Sequence, residues 1–78
     1  MVVDIITPDE SLFTGEAKAV TVPGIDGSLG ILDRHAPLIS ALKKGKVKVT
    51  NPSGKETVFE IEGGVAEVKE NKIIILAE

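Results

Sequence analysis

The chain has 78 residues, 42% of them apolar and 27% charged, and carries a net charge of −3. That length makes one domain, residues 1–78, in which folding hides only roughly 60–65% of the surface that the unfolded chain exposes. A negative balance with only two aromatic residues, Phe13 and Phe59, argues against a nucleic-acid binder, and the absence of cysteine rules out disulfides or a thiolate zinc site as braces.

The opening Met1-Val2-Val3-Asp4 lacks the basic region and apolar stretch of a signal peptide. Residues 2–7 form the first predicted strand, ended by Pro8-Asp9. Leu12-Phe13-Thr14 is a brief second strand ended by Gly15. Residues 16–22 make a third, ended by Pro23-Gly24. Residues 27–32 and 37–42 follow as two more.

The second half alternates more cleanly. In Lys46-Val47-Lys48-Val49-Thr50 one face is apolar and the other polar. Asn51-Pro52-Ser53-Gly54 carries the residues of a type I turn. Thr57, Phe59 and Ile61 then share one strand face, so the two strands make a hairpin. Gly63-Gly64 breaks the pattern, residues 65–69 resume it, and Glu70-Asn71 turns the chain. The last strand, residues 72–77, is apolar on both faces. It is either covered twice or offers one face to a partner. Its run from Ile73 to Ala77 is the longest apolar stretch, too short to cross a membrane as a helix. Closely spaced turns and no helical period predict an all-β antiparallel sandwich or barrel.

Few residues suggest chemistry. His35 is the only histidine; Asp26 and Asp33 lie near it in sequence, but two carboxylates and one imidazole in a loop is a weak metal pattern. No hydroxyl residue sits in a nucleophile-elbow setting, so no catalytic residue and no cofactor is expected. Gly24-Ile25-Asp26-Gly27-Ser28-Leu29-Gly30 is glycine-rich, but no Gly-Lys-Ser/Thr and no helix follow, as a phosphate loop needs. Lys43-Lys44-Gly45-Lys46 is a basic turn tip. Glu16-Ala17-Lys18-Ala19 faintly resembles the lysine motif of biotinyl and lipoyl carrier domains, yet Lys18 falls within a predicted strand. A free-standing sandwich that carries a cofactor or binds a small ligand remains the alternative function.

One ordered set of motifs points elsewhere. Val20-Thr21-Val22-Pro23-Gly24, Gly27-Ser28-Leu29-Gly30-Ile31-Leu32 and His35-Ala36-Pro37-Leu38 together resemble the epsilon subunit family of F-type ATP synthases, called delta in mitochondria. Thr7-Pro8-Asp9, Leu12-Phe13-Thr14-Gly15, Ala41-Leu42-Lys43-Lys44-Gly45, Glu62-Gly63-Gly64-Val65-Ala66-Glu67-Val68 and the closing strand match its pattern in order. Asp26 and Ser28 depart from the acidic pair that flanks the glycine in many members.

The resemblance implies a ten-stranded sandwich of two sheets. It also implies a non-catalytic central-stalk subunit of a proton-translocating ATP synthase, peripheral on the cytoplasmic face of the bacterial plasma membrane, and a monomer when alone. Its partners are then the gamma subunit and the polar loops of the c-ring. Carried over by position, Thr7, His35, Ala36 and Pro37 resemble gamma contacts, and Gly24, Asp26, Gly27 and Ser28 resemble c-ring contacts. These turns are expected to gather at one end of the sandwich. Longer members continue into two C-terminal helices that can inhibit hydrolysis. With the sequence ending at Glu78, no helical hairpin and no tail-dependent inhibition are expected.

Overall fold

Alternating apolar and polar positions become strands in the computed structural model, which describes residues 1–78. The elements are β1 (Val2–Ile6), β2 (Ser11–Glu16), β3 (Ala19–Gly24), β4 (Gly27–Leu32), β5 (Leu38–Leu42), β6 (Gly45–Thr50), β7 (Glu56–Ile61), β8 (Gly64–Lys69) and β9 (Lys72–Ala77). There are thus nine strands where the resemblance implied ten. Hydrogen bonds join them in the order β2-β1-β9-β8-β5-β3-β6-β7, with β4 paired to β3. The two layers of the sandwich are therefore halves of one curled sheet.

The pairing of β1 with β9 is parallel, and every other pair is antiparallel. In that parallel pair Val3 lies beside Ile73 and Ile5 beside Ile75, and none of the four is exposed. Val20, Val22, Ile31, Val47, Val49 and Ile61 complete the core from the other half. β-branched side chains suit this role because they are stiff and pack well on a pleated surface. The curl closes at the two ends of the strand path. Phe13 on β2 and Phe59 on β7 meet with ring centroids 5.7 Å apart and planes tilted by 60°. The two aromatic residues of the chain form the seam.

Three local features differ from the sequence expectation. Gly15 does not end a strand; it lies inside β2 opposite Val3, because the Phe13 ring occupies the space a side chain would need, 3.3 Å from the Cβ position. Pro23-Gly24 also stays within β3. Pro23 lies between the β6 ladder, which ends at Thr21, and the β5 contact at Gly24, so its missing N–H costs no ladder bond. Lys18, expected within a strand, lies instead in the link between β2 and β3, where its N–H donates to the Thr50 carbonyl.

The turns follow their residues. Asn51 accepts from Gly54 N–H through its carbonyl, and its side chain accepts from the N–H groups of Ser53 and Lys55. Glu70 and Asn71 both take left-handed conformations, with φ of 53° and 58°, the geometry of a two-residue hairpin turn. At Gly64, φ is 141° and a Cβ would stand 2.1 Å from the Leu76 carbonyl oxygen, so only glycine fits.

Two ionic contacts tie strand ends together. The Met1 ammonium donates to Asp33 Oδ1 at 2.7 Å, and this hydrogen bond raises the ammonium pKa above its ordinary value. The same bond is the main cause that holds the Asp33 carboxyl below its ordinary value. Asp4 is lowered chiefly by the Thr14 hydroxyl, with the Lys72 ammonium at 3.5 Å assisting.

Two outcomes are expected. In a double-mutant cycle with Phe13→Leu and Phe59→Leu, chemical denaturation should show a coupling of about 0.5–1.5 kcal/mol; additive losses would mean that the rings do not act as a pair. Stability should also be level between about pH 5 and pH 7.5 and fall on both sides. A raised ammonium pKa gives stability that is present below the unfolded value and lost as pH climbs through the folded one. Lowered carboxyl pKa values give stability that is lost as pH drops through the folded values. Asp33→Asn should flatten most of the alkaline fall yet keep the part of the acid fall due to Asp4. An unchanged alkaline limb in thermal melts would contradict this.

Candidate functional site

The β3–β4 hairpin carries the first group of sequence-selected residues. Gly24 is buried and pairs with both Gly27 and Leu42, and a Cβ there would lie 2.7 Å from the Gly27 carbonyl oxygen. The glycine allows the hairpin to fold tightly against β5. Gly27 has φ of 135°, which strains any other residue, although its Cβ position faces open space. Asp26 and Ser28 are exposed on the turn beside exposed Ile25. Between this turn and residues 38–41 of β5 runs a groove of about 450 Å3. Ile25 and Ile39 line it, with Asp26 as its one charged residue.

Residues 33–37 form the second group, and they lead directly into β5. Arg34 takes a left-handed φ of 63° and donates its N–H to Asn71 Oδ1 at 2.7 Å. His35 N–H closes a turn onto the Leu32 carbonyl at 3.1 Å. His35 Nδ1 lies 2.7 Å from the Ala36 carbonyl oxygen. A carbonyl can only accept, so in the neutral ring the proton sits on Nδ1 and Nε2 is left as an acceptor. Ala36 and Pro37 are exposed. His35, Asp26 and Asp33 do not gather into a metal-ligand set.

Thr7 is not with the 33–37 turn. It follows the C-terminal end of β1, near Leu76 and Glu78, whereas Asn71, which holds the 33–37 turn, meets Val2 at the N-terminal end of that strand. The expectation that these turns share one end is therefore overturned for the 33–37 turn: β1 and β9 run parallel, so it lies a strand length from Thr7, about 17 Å, whereas register through Leu42, Gly64 and Ala77 puts Gly24 at the Thr7 end. The Thr7 hydroxyl is also engaged within its own turn. It accepts from the N–H groups of Asp9 and Glu10 and donates to the Glu10 carbonyl.

Between the two ends lies a surface that residue-by-residue reading missed. Register places Ile6, Leu76, Val65 and Ala41 in one row across β1, β9, β8 and β5, and Ile74, Glu67 and Ile39 in the next. These point away from the core. Ile6 is 38% exposed, Leu76 55%, Val65 41% and Ile39 72%. The two-faced apolar character of residues 72–77 was the signal for it. One face is core, through Ile73, Ile75 and Ala77, and the other is this outer row.

Comparison with known proteins places the chain. The family described as ATP synthase, Delta/Epsilon chain, beta-sandwich domain, matches residues 1–78. The ATP synthase epsilon chain of Chlorobium limicola is 48% identical over 75 residues, covering 96% of this chain and 85% of that one. That of Alkalilimnicola ehrlichii is 40% identical over 76 residues, and there the chain spans only 54% of its relative's length. Among solved structures, a chain of the Euglena gracilis mitochondrial ATP synthase, in its OSCP/F1/c-ring assembly, superposes with a TM-score of 0.92 at 25% identity. It covers 99% of this chain and 49% of that one. A chain of the Tetrahymena thermophila mitochondrial ATP synthase central stalk and c-ring shares the fold, with a TM-score of 0.79 at 23% identity over 99% of this chain and 62% of that one. The chain belongs to the ATP synthase delta/epsilon family and has the fold of its β-sandwich domain.

Proposed function

We propose that the chain is a non-catalytic subunit of the central stalk, one that binds the gamma subunit and meets the polar loops of the c-ring. In this reading it helps couple proton flow to ATP synthesis from the cytoplasmic face of a bacterial plasma membrane. It is a single sandwich domain, monomeric when alone, without cofactor and without insertion into the bilayer. The observation that carries the reading is the outer row Ile6, Leu76, Val65 and Ala41, with Ile39 beside it. Clustered apolar surface of this kind marks a place where a protein partner sits, and membership of the ATP synthase delta/epsilon family supports reading that partner as gamma.

The separation of the turns adds a geometric requirement. A gamma subunit that touches both Thr7 and residues 35–37 must lie along the strands over about 17 Å. The apolar row lies in its path. The hairpin residues Gly24, Asp26, Gly27 and Ser28 flank β5 from the other side and are the c-ring contacts of this reading.

Two measurements test it. Ile39→Glu and Ala36→Glu should leave the melting temperature close to that of the parent, since both side chains are exposed. Each should weaken gamma binding in titration calorimetry by about tenfold or more, roughly 1.4 kcal/mol. Thr7 is a poor probe because its hydroxyl holds its own turn. Unchanged affinity in both variants would place gamma elsewhere. A cysteine at Ser28 should cross-link to the c subunit in the assembled enzyme, whereas one at Ser53, on the β6–β7 turn, should not. Cross-linking at Ser53 alone would reverse the orientation.

A further inference from the structure

The second outer row holds two carboxylates in unlike settings. Register sets Asp4, Ile74, Glu67 and Ile39 side by side across β1, β9, β8 and β5. Asp4 accepts from the Thr14 hydroxyl and lies 3.5 Å from the Lys72 ammonium, so its charge is matched within the chain. Glu67 is exposed, and no basic group lies within ion-pair distance of it. Both of its neighbours in the row are isoleucines. Hollows of about 360 and 170 Å3 open on either side of it, the first toward Pro37 and Ile39, the second toward Lys72 and Ile74.

This row runs between the two ends of the face. Ile6, Leu76, Val65 and Ala41 stand on its Thr7 side, and Val2, Lys72 and Lys69 on the side of the 33–37 turn. A partner that spans both turns therefore crosses Glu67. Taking water from an unpaired carboxylate is costly unless a cation replaces it. We propose that Glu67 sets the position of the partner on this face: gamma brings an arginine or lysine over it, with the aliphatic stem lying on Ile74 and Ile39. Long cationic side chains suit such a place, because the stem covers apolar surface while the head meets the carboxylate. This contact rests on the rotor reading and deepens it by naming the chemistry that gamma must present. The chain's own cations on the same face are Lys72 and Lys69. Lys72 is engaged by Asp4, and Lys69 stands opposite Lys72 beside the Glu70-Asn71 turn, at the rim where water reaches it.

Titration calorimetry with gamma tests the contact. Glu67→Gln keeps the size and removes the charge, and since the side chain is exposed and unpaired the melting temperature should stay within about 3 °C of the parent. Gamma binding should weaken by about tenfold or more, and further still in Glu67→Lys, because a cation of the partner is left without its carboxylate. The loss should persist in a Lys69→Met background. Binding that is unchanged or tightened by Glu67→Gln would mean that the carboxylate meets no cation, and would overturn the proposal. A loss that vanishes in the Lys69→Met background would overturn it too, by assigning the pairing to this chain's own lysine. Ile39→Glu tells the two readings apart. If it weakens binding while Glu67→Gln does not, the rotor reading stands and the charge contact fails; if the parent chain does not bind gamma, both fail.

Discussion

The parallel pairing of β1 with β9 is the constraint on which the rest of the structure depends. It places the first and last strands side by side and leaves Val3, Ile5, Ile73 and Ile75 with no exposed surface. Burial of each such side chain is worth about 1.5–3 kcal/mol. Because the pair joins the two ends of the sequence, the core cannot form until both are present. Pairing of this kind carries a high loop-closure cost, so folding is expected to be slow for so small a domain.

From that pair the outer architecture follows. With β1 and β9 parallel, the turn after β1 and the turn before β9 lie at opposite ends, which separates Thr7 from the His35 turn. β9 lies inside the sheet between β1 and β8, and no other element packs over its outward residue Leu76, which is 55% exposed. Leu76 and its neighbours Ile6 and Val65 are left in contact with solvent as a consequence of topology. The sheet then curls until Phe13 and Phe59 meet, which closes the sandwich without a covalent brace.

Much of this was legible in the sequence. Alternation in residues 46–50 and 56–61 marked a hairpin that the structure reproduces, with Asn51 arranging its turn. The breaks at Gly63-Gly64 and Glu70-Asn71 also stand, since both rest on left-handed or glycine-only backbone. Gly15 and Pro23-Gly24 misled because glycine and proline were read as punctuation. Their true causes lie in the folded sheet: the ring of Phe13, two residues back on the same face, beside Gly15, and a gap in the ladder beside Pro23. The candidate turns were found by motif, but their separation was not, since strand direction is a property of the whole sheet. The hold of the Asn71 side chain on Arg34 and the contacts of the Met1 ammonium escaped notice because they join residues well separated in sequence.

The central claim is that a rigid sheet presents its outer β1–β9–β8–β5 face to a rotor partner. Amide hydrogen exchange on the free chain and on the chain assembled with gamma and the c-ring tests this most directly. The account predicts that residues 3–5 and 73–75 exchange slowly in both states, through global unfolding alone. Assembly should add protection at residues 24–28, 35–41 and along the edges of the apolar row, and little at the β6–β7 turn. Protection gained chiefly around Asn51 and Ser53, or fast exchange at Ile73 and Ile75 in the free chain, would contradict it.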